Sequence, residues 1–143
     1  MAFTNYQTVV LRASAATSGT SEQDTQVALP ETVKSLFVRV QKTAEANADN
    51  LLTVRLQCLV NTADWVDVSA TRVQLITALT VAADTAATTN IPNIVDASNS
   101  AGYTYVAFYE ALPSNIVRIV SVSSGTTPAN TFEADGMFRV NDL

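Results

Sequence analysis

The chain has 143 residues, 48% of them hydrophobic and 15% charged, with a formal net charge of −5 and a pI near 4.4. One domain is expected at this length, with surface enough to bury a core without disulfide or metal staples. The eight basic residues are scattered from Arg12 to Arg139 and there is no histidine; this argues against nucleic-acid or anionic-membrane partners and against Ser-His-Asp, Cys-His and most zinc chemistry.

Tyr6 to Arg12 (YQTVVLR) reads as a first strand, followed by a small-residue polar loop, Ala13 to Asp24. Thr25 to Leu29 is a short second strand, stopped by Pro30, which cannot donate to a ladder. In Ser35 to Lys42, Leu36, Val38 and Val40 share one face and Arg39 and Gln41 the other, the period-2 signature of a strand. Thr43 to Asn50 ends in turn formers and reads as a loop.

Leu51 to Val60 alternates again, with Leu52, Val54, Leu56, Cys58 and Val60 on one face. Asn61 to Asp64 is a four-residue connection of turn-forming types, and Trp65 to Ala70 returns as the partner strand of a hairpin. Val73 to Val81 (VQLITALTV) is one further β-rich run. Ala82 to Gly102 holds Asn90, Pro92, Asn93, Asn99 and Gly102 and no sustained period. It reads as a long loop with a short strand near Ile91 to Val95, and loops of this length often carry contacts. Tyr103 to Tyr109 and Ile116 to Ser123 are strong strands, Gly125 to Asn130 a turn, and Thr131 to Val140 a last strand interrupted at Gly136.

Eight or nine short strands with no long helix predict an all-β, antiparallel β-sandwich of jelly-roll type. Residues 1–143 form a single domain in this reading, with 1–24 a partly extended arm and 82–102 a long loop. MAFTNYQTVV lacks a basic n-region and an apolar h-region, so no secretory signal is expected. Val73 to Ala83 is too short and too rich in Thr and Gln to span a bilayer.

Few residues invite chemistry. Cys58, the single cysteine, falls on an apolar strand face and reads as a small buried hydrophobe. Asp64 and Asp67 flank Trp65, which resembles a sugar-binding or glycosidase corner. The simpler reading has Asp64 closing a turn, Asp67 facing solvent and Trp65 plugging one end of the sandwich. Glu133, Asp135 and Gly136 offer a loose Ca²⁺ site or, more simply, a solvated strand face. Tyr103, Tyr105, Ala107 and Tyr109 share one face, with Val106 and Phe108 opposite. That tyrosine face is either core or an exposed platform or subunit interface. No catalytic residue, cofactor or metal ligand is assigned, and the chain reads as a non-enzyme.

Two stretches, TVRLQCLVNTADWVDVSAT (Thr53 to Thr71) and LPSNIVRIVSVSSGTTPANTF (Leu112 to Phe132), carry a family likeness. Together and in this order they resemble small β-sandwich virion proteins of tailed bacteriophages. In those proteins a T-V-x-L-Q strand leads through a turn to W-x-D-[IV], and a Val-Arg strand is followed by G-T-T-P. NTAD here replaces the usual Gly-rich turn, and Ala82 to Gly102 is an addition. The resemblance implies a capsid decoration (cement) protein, a homotrimer bound to the major capsid protein on the outer surface of the head. Met1 to Asp24 and Ala82 to Gly102 are the expected contact elements. A tail or neck protein and a carbohydrate-binding adsorption module are the alternatives. The last requires Trp65 and the tyrosines on one concave face.

Overall fold

The computed structural model describes residues 6–17, 19–45, 50–77, 80–85, 93–97, 104–126 and 128–139. Eleven strands run through them. They are β1 (Tyr6–Ala16), β2 (Gln23–Ala28), β3 (Leu36–Glu45), β4 (Leu51–Val60), β5 (Asp64–Val68) and β6 (Arg72–Thr77), then β7 (Thr80–Thr85), β8 (Asn93–Ala97), β9 (Thr104–Tyr109), β10 (Ile116–Ser124) and β11 (Asn130–Arg139). All described pairings are antiparallel, in two sheets ordered β1-β11-β3-β9-β6-β7 and β2-β10-β4-β5, with β8 also on β4.

Without β5, β6 and β7, the remaining eight strands order as 1-8-3-6 and 2-7-4-5, two interlocked Greek keys forming a jelly roll. β5 to β7 are an insertion between the fourth and fifth framework strands. β5 lies beside one half of β4 and β8 beside the other, while the β6–β7 hairpin widens the opposite sheet.

The period-2 pattern fills the interior as expected. Leu36, Val38 and Val40 of β3 and Leu52, Val54, Leu56 and Cys58 of β4 are buried, and so are Val117 and Ile119 of β10 and Phe132 and Ala134 of β11. Each of these Val, Leu, Ile and Phe side chains contributes roughly 1.5–3 kcal/mol of burial. Tyr105, Ala107 and Tyr109 are buried too, so the tyrosine face belongs to the core; Tyr103 lies outside the described residues.

Several boundaries differ from the sequence reading. β1 continues to Ala16 and β2 begins at Gln23, so most of the expected N-terminal arm is sheet framework. The connection from β4 to β5 is three residues, Asn61–Ala63, rather than four. Val73 to Val81 is two strands rather than one run. The expected 82–102 loop contains the end of β7 and all of β8; its other residues lie outside the described set. β11 is not interrupted at Gly136. A Cβ there would sit 3.0 Å from Leu36 Cδ1 and 3.2 Å from Leu11 Cδ1 and Val9 Cγ1, so the glycine admits three core side chains without breaking the strand.

One end of the interior is polar. Thr17 and Ser123 share a 2.8 Å hydroxyl hydrogen bond, and Asn130 donates its backbone N–H to Thr17 Oγ1 and its Nδ2 to Ser123 Oγ. Asn50 Nδ2 donates to Ala129 O, and Lys42 is also buried at this end. Arg12 turns inward between two bulges of β1, lies 3.9 Å from the Phe132 ring centroid and donates to the carbonyls of Ala15 and Phe132.

Two features carry measurable cost. The Tyr109 hydroxyl is buried with no hydrogen-bond partner among the described residues, and burial, then the nearby Cys58, raises its pKa. Tyr109→Phe is expected to raise stability by about 1 kcal/mol, read as a higher denaturant midpoint at unchanged slope. The folded state keeps a phenolic proton that the unfolded state releases above about pH 10, so wild-type stability falls with rising pH there; the variant shows a shallower fall. Asn61 and Thr62 both have positive φ, +53° and +72°. Positive φ favours glycine or asparagine, and a β-branched residue in the left-handed region is strained. Thr62→Gly should therefore raise the midpoint by an amount equivalent to about 1 kcal/mol, the strain relief exceeding the entropy cost of glycine.

Candidate functional site

Strand parity separates the two aspartates that flank Trp65. Trp65 and Asp67 stand on the outer face of the five-stranded sheet, opposite Leu59 and Gln57 of β4, whereas Asp64 alternates to the other side. The two carboxylates therefore do not form a catalytic pair across one site. Trp65 is partly buried on this outer surface and does not plug the end of the sandwich.

Around it runs a polar ladder. Glu22 accepts from Arg55 at 2.8 Å, and Arg55 Nε donates to Asp67 at 3.1 Å. Asp67 also accepts from Gln57 Nε2 at 2.7 Å, and Gln57 Oε1 accepts from Arg118 Nε at 2.7 Å. Arg118 NH1 reaches Asp24 at 3.0 Å, and its guanidinium sits 4.3 Å from the Trp65 ring centroid. Val120 shares this outer face, between Asp24 and Arg55, and is nonetheless fully buried. The ladder thus covers apolar surface with side chains that satisfy one another. Its hydrogen bonds to Glu22, foremost, raise the Arg55 pKa, and its acids are engaged by guanidinium groups. Exposed pairs of this kind contribute roughly 0–1 kcal/mol each, so the face is organised more than it is stabilised.

The outer face of the six-stranded sheet has a different character. Glu133 and Asp135 both hold Arg39, which also donates to Gln41 Oε1 at 2.9 Å. The hydrogen bond that Arg39 donates to Asp135, first, raises the Arg39 pKa. The two acids considered for Ca²⁺ are therefore committed to a guanidinium, and among the described residues no group of three acidic, cysteine or histidine side chains is set to hold a metal ion.

Next to this cluster the face becomes apolar. Met137, Phe37 and Phe108 lie in one row across β11, β3 and β9, the two phenyl rings edge to face with centroids 4.7 Å apart. With Tyr6 they line an open groove of about 580 Å³, and Glu110 and Arg139 also border it. Tyr6, Val10 and Met137 are among the exposed large hydrophobics, at 54%, 59% and 38%. Sequence reasoning marked Phe108 as lying opposite the tyrosines but did not find this surface, because its members come from four strands distant in the chain.

Cys58 is fully buried, its thiol directed at Ser114 O at 3.6 Å, and burial pushes its pKa up. It is a core residue and not a reactive thiol.

No family model matches the sequence, and no curated protein does. Among solved structures the fold is similar to the SPBc2 prophage-derived protein YomS, with a TM-score of 0.56 at 10% identity over 93% of this chain and 91% of that one. Weaker likenesses are to the Yersinia pseudotuberculosis-derived mitogen, TM-score 0.46 at 10% identity, covering 97% and 90% of the two chains. The C-terminal family 22 carbohydrate-binding module of Clostridium thermocellum Xyn10B gives 0.46 at 11%, covering 99% and 91%. At such identities the likeness establishes the fold: an all-β sandwich. The buried Tyr105 and Tyr109 lie between the sheets while Trp65 lies outside them, so the shared aromatic platform required of a sugar-binding cleft is not formed by these residues.

Trp65→Ala is expected to cost about 2 kcal/mol, below the roughly 3–5 of a fully buried aromatic, with the sandwich retained. Thermal or denaturant unfolding of the variant, with circular dichroism of the folded state, measures both.

Proposed function

We infer that this chain is a structural protein of a phage virion that acts by binding alone. The observation that carries this reading is the end-to-end likeness of its sandwich to a prophage-derived protein. The sequence resemblance supports it from a second direction. The two resembling stretches fall on the β4–β5 hairpin and on β10 with the start of β11, and β10 is hydrogen-bonded along β4, so most of the likeness falls on adjoining strands of the five-stranded sheet.

Within that class the proposed role is a decoration (cement) protein. It binds the major capsid protein on the outer surface of the head, as a trimer, and braces neighbouring capsomers. Its surface suits contact with protein and not with nucleic acid. Arg39, Arg55 and Arg118 are each engaged by acids on the chain itself, and the net charge of −5 opposes approach to a phosphate backbone. The apolar groove beside Met137, Phe37 and Phe108 is the surface best suited to docking on the shell. Stabilisation follows from mass action: a protein that binds the mature lattice better than the broken one shifts that equilibrium by the difference in affinity. Many weak contacts per oligomer add through multivalency.

Immunogold labelling of intact virions with antibody against this chain is expected to mark the head in many copies. Heads carrying the protein are expected to withstand higher temperature than heads lacking it. Label confined to the tail or neck would replace the decoration role with the tail-protein alternative. Absence of the chain from purified particles by mass spectrometry would overturn the virion assignment altogether.

A further inference from the structure

We propose that the first half of β1, Tyr6 to Val10, is a self-pairing edge through which two copies of this chain join their six-stranded sheets across a two-fold axis. Among the described strands none lies beyond β1, so its outer backbone groups are open to a further strand. Two bulges, between Val10 and Arg12 and between Arg12 and Ala15, bend the second half and leave Tyr6–Val10 in regular register with β11.

Two other edge strands are guarded: β2 carries Asp24, and β5 carries Asp64 and Asp67. An aspartate on an edge sets like charges against each other when identical edges meet, which is a common protection against pairing. Tyr6 to Val10 has no charge, lysine or proline. Arg12, the only charged residue of β1, is turned inward onto Phe132. The two most exposed large hydrophobics of the described chain, Tyr6 and Val10, both stand on this stretch.

The sequence of the edge is complementary to itself. An antiparallel pair centred on Thr8 is isologous and places Tyr6 opposite the partner's Val10 and Val10 opposite the partner's Tyr6. On the same rows Asp135, inside Val10, is already held by Arg39, so Val10 brings no unpaired acid to the joined edge. Five residues from each copy are few beside the roughly 20–30 a side of a standard interface, so the pair forms reversibly with concentration. A two-fold contact of this kind is separate from any three-fold contact within a trimer and does not depend on it.

Sedimentation of the full chain across micromolar concentrations tests the proposal together with two variants. Wild type is expected to gain mass with concentration. Val10→Lys places a charge on an exposed position without touching the core, and it is expected to raise the dissociation constant by about tenfold or more. Thr8→Cys is expected to form a disulfide-linked dimer on mild oxidation, because directly opposed residues have Cα atoms about 4.5–5.5 Å apart, within disulfide range. Buried Cys58 does not compete, and Glu110→Cys, exposed and three strands away, serves as the control. A wild type that stays monomeric throughout would overturn the proposal. So would self-association that Val10→Lys leaves unchanged, or Thr8→Cys cross-linking no faster than Glu110→Cys.

Discussion

The seam of the six-stranded sheet rests on a close approach at Gly136 of β11, where a side chain would have to displace three core methyl groups. β11 is hydrogen-bonded to β1 on one side and β3 on the other, so it joins the start of the chain to its interior. At Gly136 the methyl groups of Leu36, Leu11 and Val9 converge on the backbone from those two neighbours. A larger residue would push them apart and part the inner face at the seam between first and last strands. With glycine in place, Leu11 and Leu36 reach full burial and the six-stranded sheet closes over the core.

A low charge content shapes the two outer faces. With few ionisable groups, Arg39 and Arg55 each serve more than one acceptor: Arg39 holds Glu133, Asp135 and Gln41, and Arg55 holds Glu22 and Asp67. Such sharing leaves each face close to neutral locally although the chain as a whole is acidic. It also leaves apolar ground between the clusters, where Phe37, Phe108 and Met137 meet.

Where alternation was strong, the sequence was legible. Leu36-Val38-Val40 and Leu52-Val54-Leu56-Cys58 point inward as their period requires, and the jelly-roll class follows from strand number and spacing. Val73 to Val81 misled because it contains no Gly, Pro, Asn or Asp to signal a reversal, and its β-branched residues suit one strand as well as two. Gly136 misled in the opposite direction: glycine in a strand signals either a break or a close approach, and only the neighbouring strands decide which. For Asp64 and Asp67 the structure agrees with the simpler reading of a turn-closing residue and a solvent-facing strand residue, since an odd spacing in a strand sends them to opposite faces. The arginine clusters and the aromatic groove were invisible because each joins strands separated by much of the chain. Lys42, the last residue of the strand read from Ser35, carries no sequence sign of burial, yet it is buried opposite Phe132.

The pairing of Tyr6 with Arg139 has a consequence for how the protein is made. β1 leaves the ribosome well before β11, its sheet partner among the described strands. At roughly 5–20 residues per second, β1 waits on the order of 10 s before β11 exists. During that interval both edges of the first strand are bare, with Val9 and Leu11 uncovered. Nascent chains on one message would then present identical apolar strands to one another before any copy could complete its own sheet. For this topology the hazard of misassembly is set by the time needed to translate the chain, and a slower message would lengthen it.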